Sequence, residues 1–223
     1  MSQGWPGTGA GHVQPWVGDQ PAPTRRVGSV TVSNLPSDLA AQRDESTLEF
    51  LVPEVASVVG PVRRRYVEAS DRTLPHITIF HPFLAAAETT PNVLHRVQRI
   101  ASDTPAFDFA ATGLATFTTG VIYLTLEPAA PFVDLIARLR SAFPDVVPYW
   151  DEYGEVIPHI SVALFTPATH EAVRAGVEAM LRGYLPIHCT AHAIRLLQRL
   201  RPAPATWDER ASFPLGDRPK RRH

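Results

Sequence analysis

The tripeptide Pro-His-Ile occurs twice in this chain, first at His76 and again at His159, and each copy is followed by a hydroxyl residue. Each copy lies at the same place in a run of five predicted elements: a strand, a helix starting near a proline, the strand with the tripeptide, another helix and a strand. The first run covers Thr47 to Ala111 and the second Val121 to Leu196. A repeated unit of this size predicts two similar halves. We therefore expect a bilobal, pseudo-symmetric α+β fold, with two antiparallel-type sheets facing a central groove and the helices outside.

The individual elements follow from the spacing of apolar residues and from the prolines. Apolar side chains recur at helical spacing after Pro53, Pro91 and Pro131, and the alternating or continuous apolar runs between them predict strands. The last predicted helix is His170 to Leu181 and the last predicted strand is Ile187 to Leu196. The remaining predicted strands are Thr47 to Val52, Leu74 to Phe80, Ala106 to Ala111, Val121 to Leu126 and Val156 to Leu164.

The two ends of the chain differ in composition from this repeated region. Residues 1–45 are rich in glycine and proline and show no period, so we predict a disordered extension in which only Val27 to Val32 could add an edge strand. Residues 46–215 form the predicted domain, and residues 216–223 form a short basic tail.

Charge and cysteine content exclude several classes of protein. The formal net charge is −1, which argues against binding long nucleic acids through bulk charge but allows a small phosphate-bearing ligand. The single cysteine, Cys189, excludes an internal disulfide and a multi-cysteine zinc site. No apolar run reaches the roughly 18–20 residues that span a bilayer, and the first residues lack the pattern of a signal peptide. We expect a cytoplasmic monomer with no membrane partner.

The two motifs offer acid–base chemistry. Side chains alternate along a strand, so His76 and Thr78 share one face, and so do His159 and Ser161. If the halves are related by a pseudo-dyad, these four groups converge. Two imidazoles can then serve as general base and general acid near neutral pH, and the hydroxyls can bind the non-bridging oxygens of a phosphate. Proton transfer at both ends of an in-line displacement needs no metal and no other cofactor.

A histidine on a strand is more often a structural residue than a catalytic one. Either motif alone would therefore be a weak indication of function. The occurrence of both, each inside Pro-His-Ile-[Thr/Ser] at matching places of a repeated unit, favours a functional pair.

The motifs His76-Ile77-Thr78-Ile79 and His159-Ile160-Ser161-Val162 resemble those of the two-histidine phosphoesterase superfamily, in the branch with the 2′-5′ RNA ligases and cyclic phosphodiesterases. The resemblance covers about residues 46–200 and departs only in Ser161, where threonine is common. It implies hydrolysis of 2′,3′-cyclic or related phosphodiesters of nucleotides or RNA ends, typically to a 2′-phosphate. It also implies His76 as general acid and His159 as general base, although a symmetric site allows the opposite assignment.

Two other functions stay open at this stage. RNA 2′-5′ ligation is implied by the resemblance only as a reverse or side activity. The groove could instead belong to a non-catalytic module that binds a phosphorylated nucleotide or RNA end. In each case the expected partner is a small cyclic nucleotide or an RNA terminal phosphate.

Four further residues are candidate substrate contacts. His81 should lie at the end of the first motif strand, where a histidine is more often structural than functional. Tyr149, Trp150 and Tyr153 lie in the longer loop from Phe143 to Glu155, where they could stack on a base or simply pack the loop.

Two clusters have simpler interpretations. Arg63 to Arg65 end the first helix, where cations favour the negative end of the helix dipole, and we interpret them as a solvated face. His188, Cys189 and His192 lie on one predicted strand, where the cysteine points away from the histidines, so we expect no metal site there.

Overall fold

A computed structural model describes residues 45–67, 74–152, 156–199 and 207–218. The predicted N-terminal extension, apart from Glu45, lies outside the described residues, and so does the predicted edge strand from Val27 to Val32. Residues 219–223 of the predicted tail also lie outside them. Residues 216–218 follow the last strand and contact the rest of the fold: the backbone N–H of Gly216 donates to the carbonyl of Thr104 at 2.9 Å, and Arg218 pairs with Asp108.

Strands and helices alternate along the described chain much as the apolar spacing predicts. Helix α2 (Pro91–Ser102) shows how the sequence sets a helix boundary: Pro91 opens the helix, and the Thr90 hydroxyl accepts a hydrogen bond from the Val93 N–H at 3.4 Å. Short 3-10 turns lie at Pro53–Val55, Ala86–Glu88 and Tyr149–Glu152. The elements in chain order are β1 (Glu45–Leu51), α1 (Ala56–Tyr66), β2 (His76–Phe80), α2 (Pro91–Ser102), β3 (Phe107–Phe117), β4 (Val121–Glu127), α3 (Ala130–Ala142), β5 (His159–Leu164), α4 (His170–Leu181), β6 (Ile187–Ala191), β7 (Ala193–Arg199) and β8 (Asp208–Pro214).

The strands form two four-stranded antiparallel sheets with matching orders, β2-β1-β7-β8 and β5-β4-β3-β6. Strands β1 and β2 of the first half stay together, while β3 of the same half joins the second sheet. Strands β4 and β5 of the second half stay together, while β7 joins the first sheet. The predicted α+β architecture with two antiparallel sheets is confirmed, and the structure adds that the two halves exchange their last strands.

The prediction of one strand from Ile187 to Leu196 is wrong. The chain forms β6 against β3 and then β7 against β1, with His192 between them, so the segment passes from one sheet into the other. The carbonyl of His192 accepts a hydrogen bond from the Leu215 N–H at 2.8 Å at this crossing. Both parts are apolar enough to read as a single run, and the change of sheet is a tertiary effect.

One apolar core joins the two halves. Phe50 of β1 and Phe109 of β3 both meet the ring of Phe132 on α3 edge-on, with centroid distances of 5.6 and 5.0 Å. These three buried rings belong to one continuous cluster that includes residues of both sheets and of the helices. The exchange of strands and the shared core together fix the two halves against each other. No helix in the described ranges is long and apolar enough to cross a membrane.

Candidate active site

The two motif strands lie side by side at the junction of the sheets. β2 is the edge strand of the first sheet, β5 is the edge strand of the second, and the two strands are in contact. Along each strand the isoleucines after the histidines, Ile77 and Ile160, are fully buried, whereas His76 and His159 are half-buried. The apolar side chains therefore anchor both strands while the histidines reach the surface between the lobes.

Two clefts meet at this junction. We call the first the aromatic cleft: it encloses about 440 Å³ and carries His159, Ser161 and several rings. We call the second the polar cleft: it encloses about 270 Å³ and carries His76 and several charged side chains. Thr78 lines both clefts, so the two motifs open onto one continuous site. The aromatic cleft is lined by Thr78, Phe117, Thr118, Thr119, Val121, Tyr149, Trp150, Val156, Ile157, His159 and Ser161. The polar cleft is lined by Glu45, Thr47, Glu49, His76, Thr78, His81, Leu197, Arg199 and Trp207.

Both imidazoles are held by the same backbone contact. Nδ1 of His76 lies 2.8 Å from the carbonyl oxygen of Leu74, and Nδ1 of His159 lies 2.7 Å from that of Ile157. A carbonyl oxygen only accepts, so each Nδ1 carries a hydrogen and donates it. In both motifs the acceptor is the residue before the proline, whose backbone is biased towards an extended conformation. Nε2 of each ring is thus the nitrogen with a lone pair to accept a proton.

The environment favours the neutral form of both rings. The pKa of His76 is lowered to about 4, mainly by burial and also by the positive charges of Arg63, His159 and His81, while the Leu74 carbonyl opposes the shift. Burial also lowers the pKa of His159, against the effect of the Ile157 carbonyl. An anion bound between the rings would reverse part of this effect, because negative charge favours imidazolium.

The two histidines differ in what lies beside them. On β1, Glu49 pairs with Thr78 across the sheet, and its Oε2 lies 3.8 Å from Nε2 of His76. The corresponding position on β4, opposite Ser161, is Tyr123. The ring of Tyr123 lies 5.1 Å from the ring of His159. One lobe therefore offers its histidine a carboxyl group, and the other offers an aromatic ring.

Arg63 contradicts the interpretation of Arg63 to Arg65 as a solvated face. Its side chain is buried, and Nη1 donates to the carbonyl oxygen of Ser161 at 2.6 Å. Arg63 lies on the inner face of α1 next to Val62, and β5 packs over that face, whereas Arg64 and Arg65 are exposed. The helix of the first half thus places a cation beneath the motif strand of the second.

Comparisons with known proteins agree with this geometry. The sequence model of the 2′-5′ RNA ligase superfamily matches residues 51–203, which is more than half of the chain. This chain belongs to the 2′-5′ RNA ligase superfamily. The resemblance to two-histidine phosphoesterases that the motifs indicate is confirmed by this match.

Two curated relatives are provisionally named phosphoesterases. One, from Oceanobacillus iheyensis, is 29% identical over 105 residues, which are 46% of this chain and 59% of that protein. The other, from a Geobacillus species, is 29% identical over 120 residues, which are 53% of this chain and 67% of that protein. The match to the first relative therefore spans less than two thirds of its length.

Solved structures share the fold of this superfamily member. The protein TT0787 of Thermus thermophilus superposes with a TM-score of 0.53 at 17% identity, covering 78% of this chain and 98% of that one. Escherichia coli LigT in its apo form gives a TM-score of 0.50 at 14% identity, covering 79% and 99%. At these identities the likeness concerns the fold alone.

The other candidate contacts of this superfamily member lie around the same site. His81 lines the polar cleft, with its ring 6.1 Å from that of Trp207, and burial lowers its pKa. The backbone N–H of Tyr149 donates to the carbonyl of His81 at 2.9 Å, which ties the long loop to the end of β2. Tyr149 and Trp150 line the aromatic cleft, although Trp150 is only 8% exposed and packs edge-on against Phe80 at 5.3 Å. Tyr153 lies outside the described residues.

His188 and Cys189 lie on β6, and His192 lies between β6 and β7, so the three are not on one strand. His188 is exposed, Cys189 is buried, and neither lines either cleft. Burial raises the pKa of the Cys189 thiol to about 12. Within the described ranges, no three His, Cys, Asp or Glu side chains are placed so that they could hold a metal ion.

Proposed function

We propose that this superfamily member is a metal-independent phosphoesterase that hydrolyses 2′,3′-cyclic or related phosphodiesters of nucleotides or RNA ends, typically to a 2′-phosphate. The observation that supports this most strongly is the presentation of two imidazoles in the same tautomer, with Nδ1 bound to a backbone carbonyl, at one junction of clefts. A binding module has no need of two proton carriers, whereas an in-line displacement uses one at each end.

The proposed reaction places the phosphate between the motifs. The hydroxyls of Thr78 and Ser161 donate to its non-bridging oxygens, and the charge of Arg63 beneath β5 favours the anion. Nε2 of His159 takes a proton from water as the water oxygen bonds to phosphorus. The bond from phosphorus to the 3′ oxygen breaks, and Nε2 of His76 supplies the proton to that oxygen. The product is a 2′-phosphate with a free 3′ hydroxyl.

The aromatic cleft is the proposed site for the nucleobase. Tyr149 is 40% exposed, and Phe117, whose ring lies 4.8 Å from that of His159, lines the same cleft, so a base entering the cleft would meet aromatic side chains beside the reacting phosphate. Stacking of a base on an aromatic ring is commonly worth about 1–3 kcal/mol. The hydroxyls of Thr118 and Thr119 also line this cleft and could contact the edge of the base.

We propose that the protein binds this substrate as a monomer.

The proposal is tested by identifying the phosphorus-containing products of the reaction. EDTA-treated protein is incubated with the four nucleoside 2′,3′-cyclic phosphates and with oligonucleotides that end in a cyclic phosphate, and the products are assigned by ³¹P NMR. His76→Ala and His159→Ala are compared with His188→Ala, which removes an exposed histidine outside both clefts.

We expect conversion to a 2′-phosphate by the wild type and by His188→Ala, and none by the two motif variants. Full activity in either motif variant would contradict the proposal, and so would a 3′-phosphate product. Saturable binding of the panel without turnover would favour the non-catalytic binding module instead. Joining of RNA ends under the same conditions would identify the ligase direction as the activity.

A further inference from the structure

The proposed displacement assigns no role to the carboxyl group of Glu49. We propose that Glu49 is a positioning residue that holds the proton which His76 delivers to the leaving oxygen, and that this partnership makes His76 the acid and His159 the base. The proposal rests on the proposed phosphoesterase function and assigns the two roles that the symmetric backbone leaves open.

The placement of Glu49 is unusual for a carboxyl group. The residue lies in the middle of β1, only 3% exposed, with its side chain in the polar cleft. Its Oε2 lies 3.8 Å from Nε2 of His76, while its Oε1 has no hydrogen-bond partner among the described residues. A buried carboxyl with a purely structural role usually has both oxygens bonded. This one faces the proton-exchanging atom of a motif histidine instead.

Arg63 is the charged side chain that shifts the pKa of Glu49, and further charged groups lie on the neighbouring strand β7. Arg63 approaches from α1 and donates to the Ser161 carbonyl, and Arg195 lies directly opposite on β7 with its guanidinium 2.6 Å from Glu209. Further along the same cleft Glu45 and Arg199 form a pair at 2.6 Å.

His81 and His159 also act electrostatically on His76, and both lower its pKa. The imidazole that faces the Glu49 carboxyl directly is that of His76, with 3.8 Å between Nε2 and Oε2. His76 is therefore the group beside Glu49 with which a proton can be exchanged.

The electrostatics of the pair agree with this geometry. Burial raises the pKa of Glu49 to about 8, against the effect of Arg63, and burial lowers the pKa of His76 to about 4. Two coupled groups of this kind hold one proton between them across neutral pH. Before substrate binds, that proton resides on Glu49 and the Nε2 lone pair of His76 is free of it.

Substrate binding moves the proton. The negative charge of a phosphodiester at Thr78 favours imidazolium, so Oε2 of Glu49 and Nε2 of His76 close from 3.8 Å to hydrogen-bond distance, the O–H bond at Oε2 breaks and an N–H bond forms at Nε2. As the P–O bond breaks, the same proton passes from Nε2 to the leaving oxygen. Glu49 is left as a carboxylate and His159 carries the proton taken from water, so exchange with solvent restores both groups.

The second lobe has a different residue at the corresponding position. Tyr123 occupies the place of Glu49 in the register, and the rings of Tyr123 and Phe117 stack on each other with centroids 4.1 Å apart. Burial and the Ile157 carbonyl, rather than a neighbouring carboxyl group, set the pKa of His159. His159 is therefore suited to accept a proton from water rather than to deliver one.

The test compares pH profiles of kcat/KM for the wild type, Glu49→Gln and Glu209→Gln. Glutamine keeps the size and hydrogen-bonding shape of a protonated glutamate but has no proton to give. Glu209→Gln removes a carboxyl of the same sheet that binds Arg195 and lies outside both clefts. Glu49→Asp keeps an acid on a shorter side chain and replaces Glu49→Gln if the latter does not fold.

We expect the wild type and Glu209→Gln to lose activity on the alkaline side near pH 8. In Glu49→Gln the acid is His76 alone. The alkaline loss of kcat/KM should therefore occur at a pH at least one unit lower, and kcat/KM at pH 8 should be reduced about 10-fold or more. In Glu49→Asp the alkaline loss of kcat/KM should stay at or above neutral pH. A Glu49→Gln profile that is lowered by the same factor at every pH, or one that is unchanged, would overturn the proposal.

A second readout needs no substrate. The carboxyl of Glu49 keeps its proton in the folded state up to about pH 8, so its contribution to stability falls as the pH rises from 6.5 to 8. The lowered pKa values of His76, His81 and His159 raise stability over the lower part of this window, and they do so in the wild type and in Glu49→Gln alike. Relative to Glu49→Gln, the wild-type Tm should therefore drop by roughly 3–7 °C across this window. If Tm changes equally with pH in the two proteins, the proposal that Glu49 and His76 share a proton is overturned, even if cyclic phosphodiesters are hydrolysed. If cyclic phosphodiesters are not hydrolysed, the proposed function fails, but the comparison of Tm against pH still shows whether Glu49 is protonated.

Discussion

His76 and His159 are presented by nearly identical backbones and surrounded by different side chains. Each ring donates from Nδ1 to the carbonyl of the residue before its proline, and each lies on an edge strand of a four-stranded sheet. The first lobe places the buried carboxyl of Glu49 beside its histidine, whereas the second places the rings of Phe117 and Tyr123 there. In the proposed reaction the repeated backbone supplies two proton carriers, and their unlike neighbours give them unlike tasks.

The largest effect should come from removing either imidazole. His76→Ala and His159→Ala are each expected to lower kcat by about 10²–10⁴-fold, because each removes proton transfer at one end of the same displacement. Since the two rings act as a unit, the double variant should lose much less than the product of the two single losses. Kinetics of the three variants with far-UV circular dichroism as a folding control would show this. Multiplicative losses would mean that the two lobes act separately.

A smaller loss is expected from the two hydroxyls, and it should be unequal. Thr78 lines both clefts and Ser161 lines only the aromatic one. Thr78→Val should therefore lower kcat by about 10²-fold, as the loss of one preorganised donor to a developing oxyanion commonly does, and Ser161→Ala by less. Thr78→Ser keeps the hydroxyl and serves as the matched control. A larger loss in Ser161→Ala than in Thr78→Val would place the phosphate on the side of the second lobe.

Arg63 links the two lobes, and its removal should weaken the fold. Arg63→Met loses the charged donor to the Ser161 carbonyl and is expected to reduce the free energy of unfolding by about 1.5–3 kcal/mol. Arg64→Met, on the exposed side of the same helix, should change it by less than about 0.5 kcal/mol. Urea unfolding of the two variants measures this difference. Equal stabilities would show that the contact between α1 and β5 contributes nothing.

The smallest effect should be a change in substrate affinity at the aromatic cleft. Tyr149→Ala is expected to raise KM for a cyclic nucleotide by about 5–100-fold with little change in kcat, because stacking on the ring binds ground state and transition state alike. Tyr184→Ala removes an exposed aromatic side chain outside both clefts and should leave KM unchanged. An unchanged KM in Tyr149→Ala would assign the base to the polar cleft.

The sequence predicts the order of elements well because apolar spacing and proline positions act locally. It misses the division between β6 and β7, since both parts of the segment are apolar and only the tertiary fold separates them at His192. It also misses β8, whose only fully buried apolar side chain is Phe213, so that no alternating pattern marks the strand.

The functional site likewise contains some residues that the local sequence identifies and others that it does not. The repeated Pro-His-Ile tripeptide identifies His76 and His159 from local sequence, because a repeat in matching places is visible without a structure. Glu49 and Arg63 are charged residues that are exposed by default. Only the approach of the other lobe and of β7 buries them, and that contact leaves no mark in the local sequence.

The most direct test of one site with two unlike histidines is an ¹⁵N NMR titration of histidine-labelled protein with and without a nucleoside 2′-monophosphate, the product of the proposed reaction. His76→Ala and His159→Ala assign the two rings among the nine histidines of the chain. The account predicts that both rings carry their hydrogen on Nδ1 at pH 7.5 in the free protein and that the ligand raises the pKa of both together. A ligand that shifts only one of the two rings, or a ring that carries its hydrogen on Nε2, would contradict it.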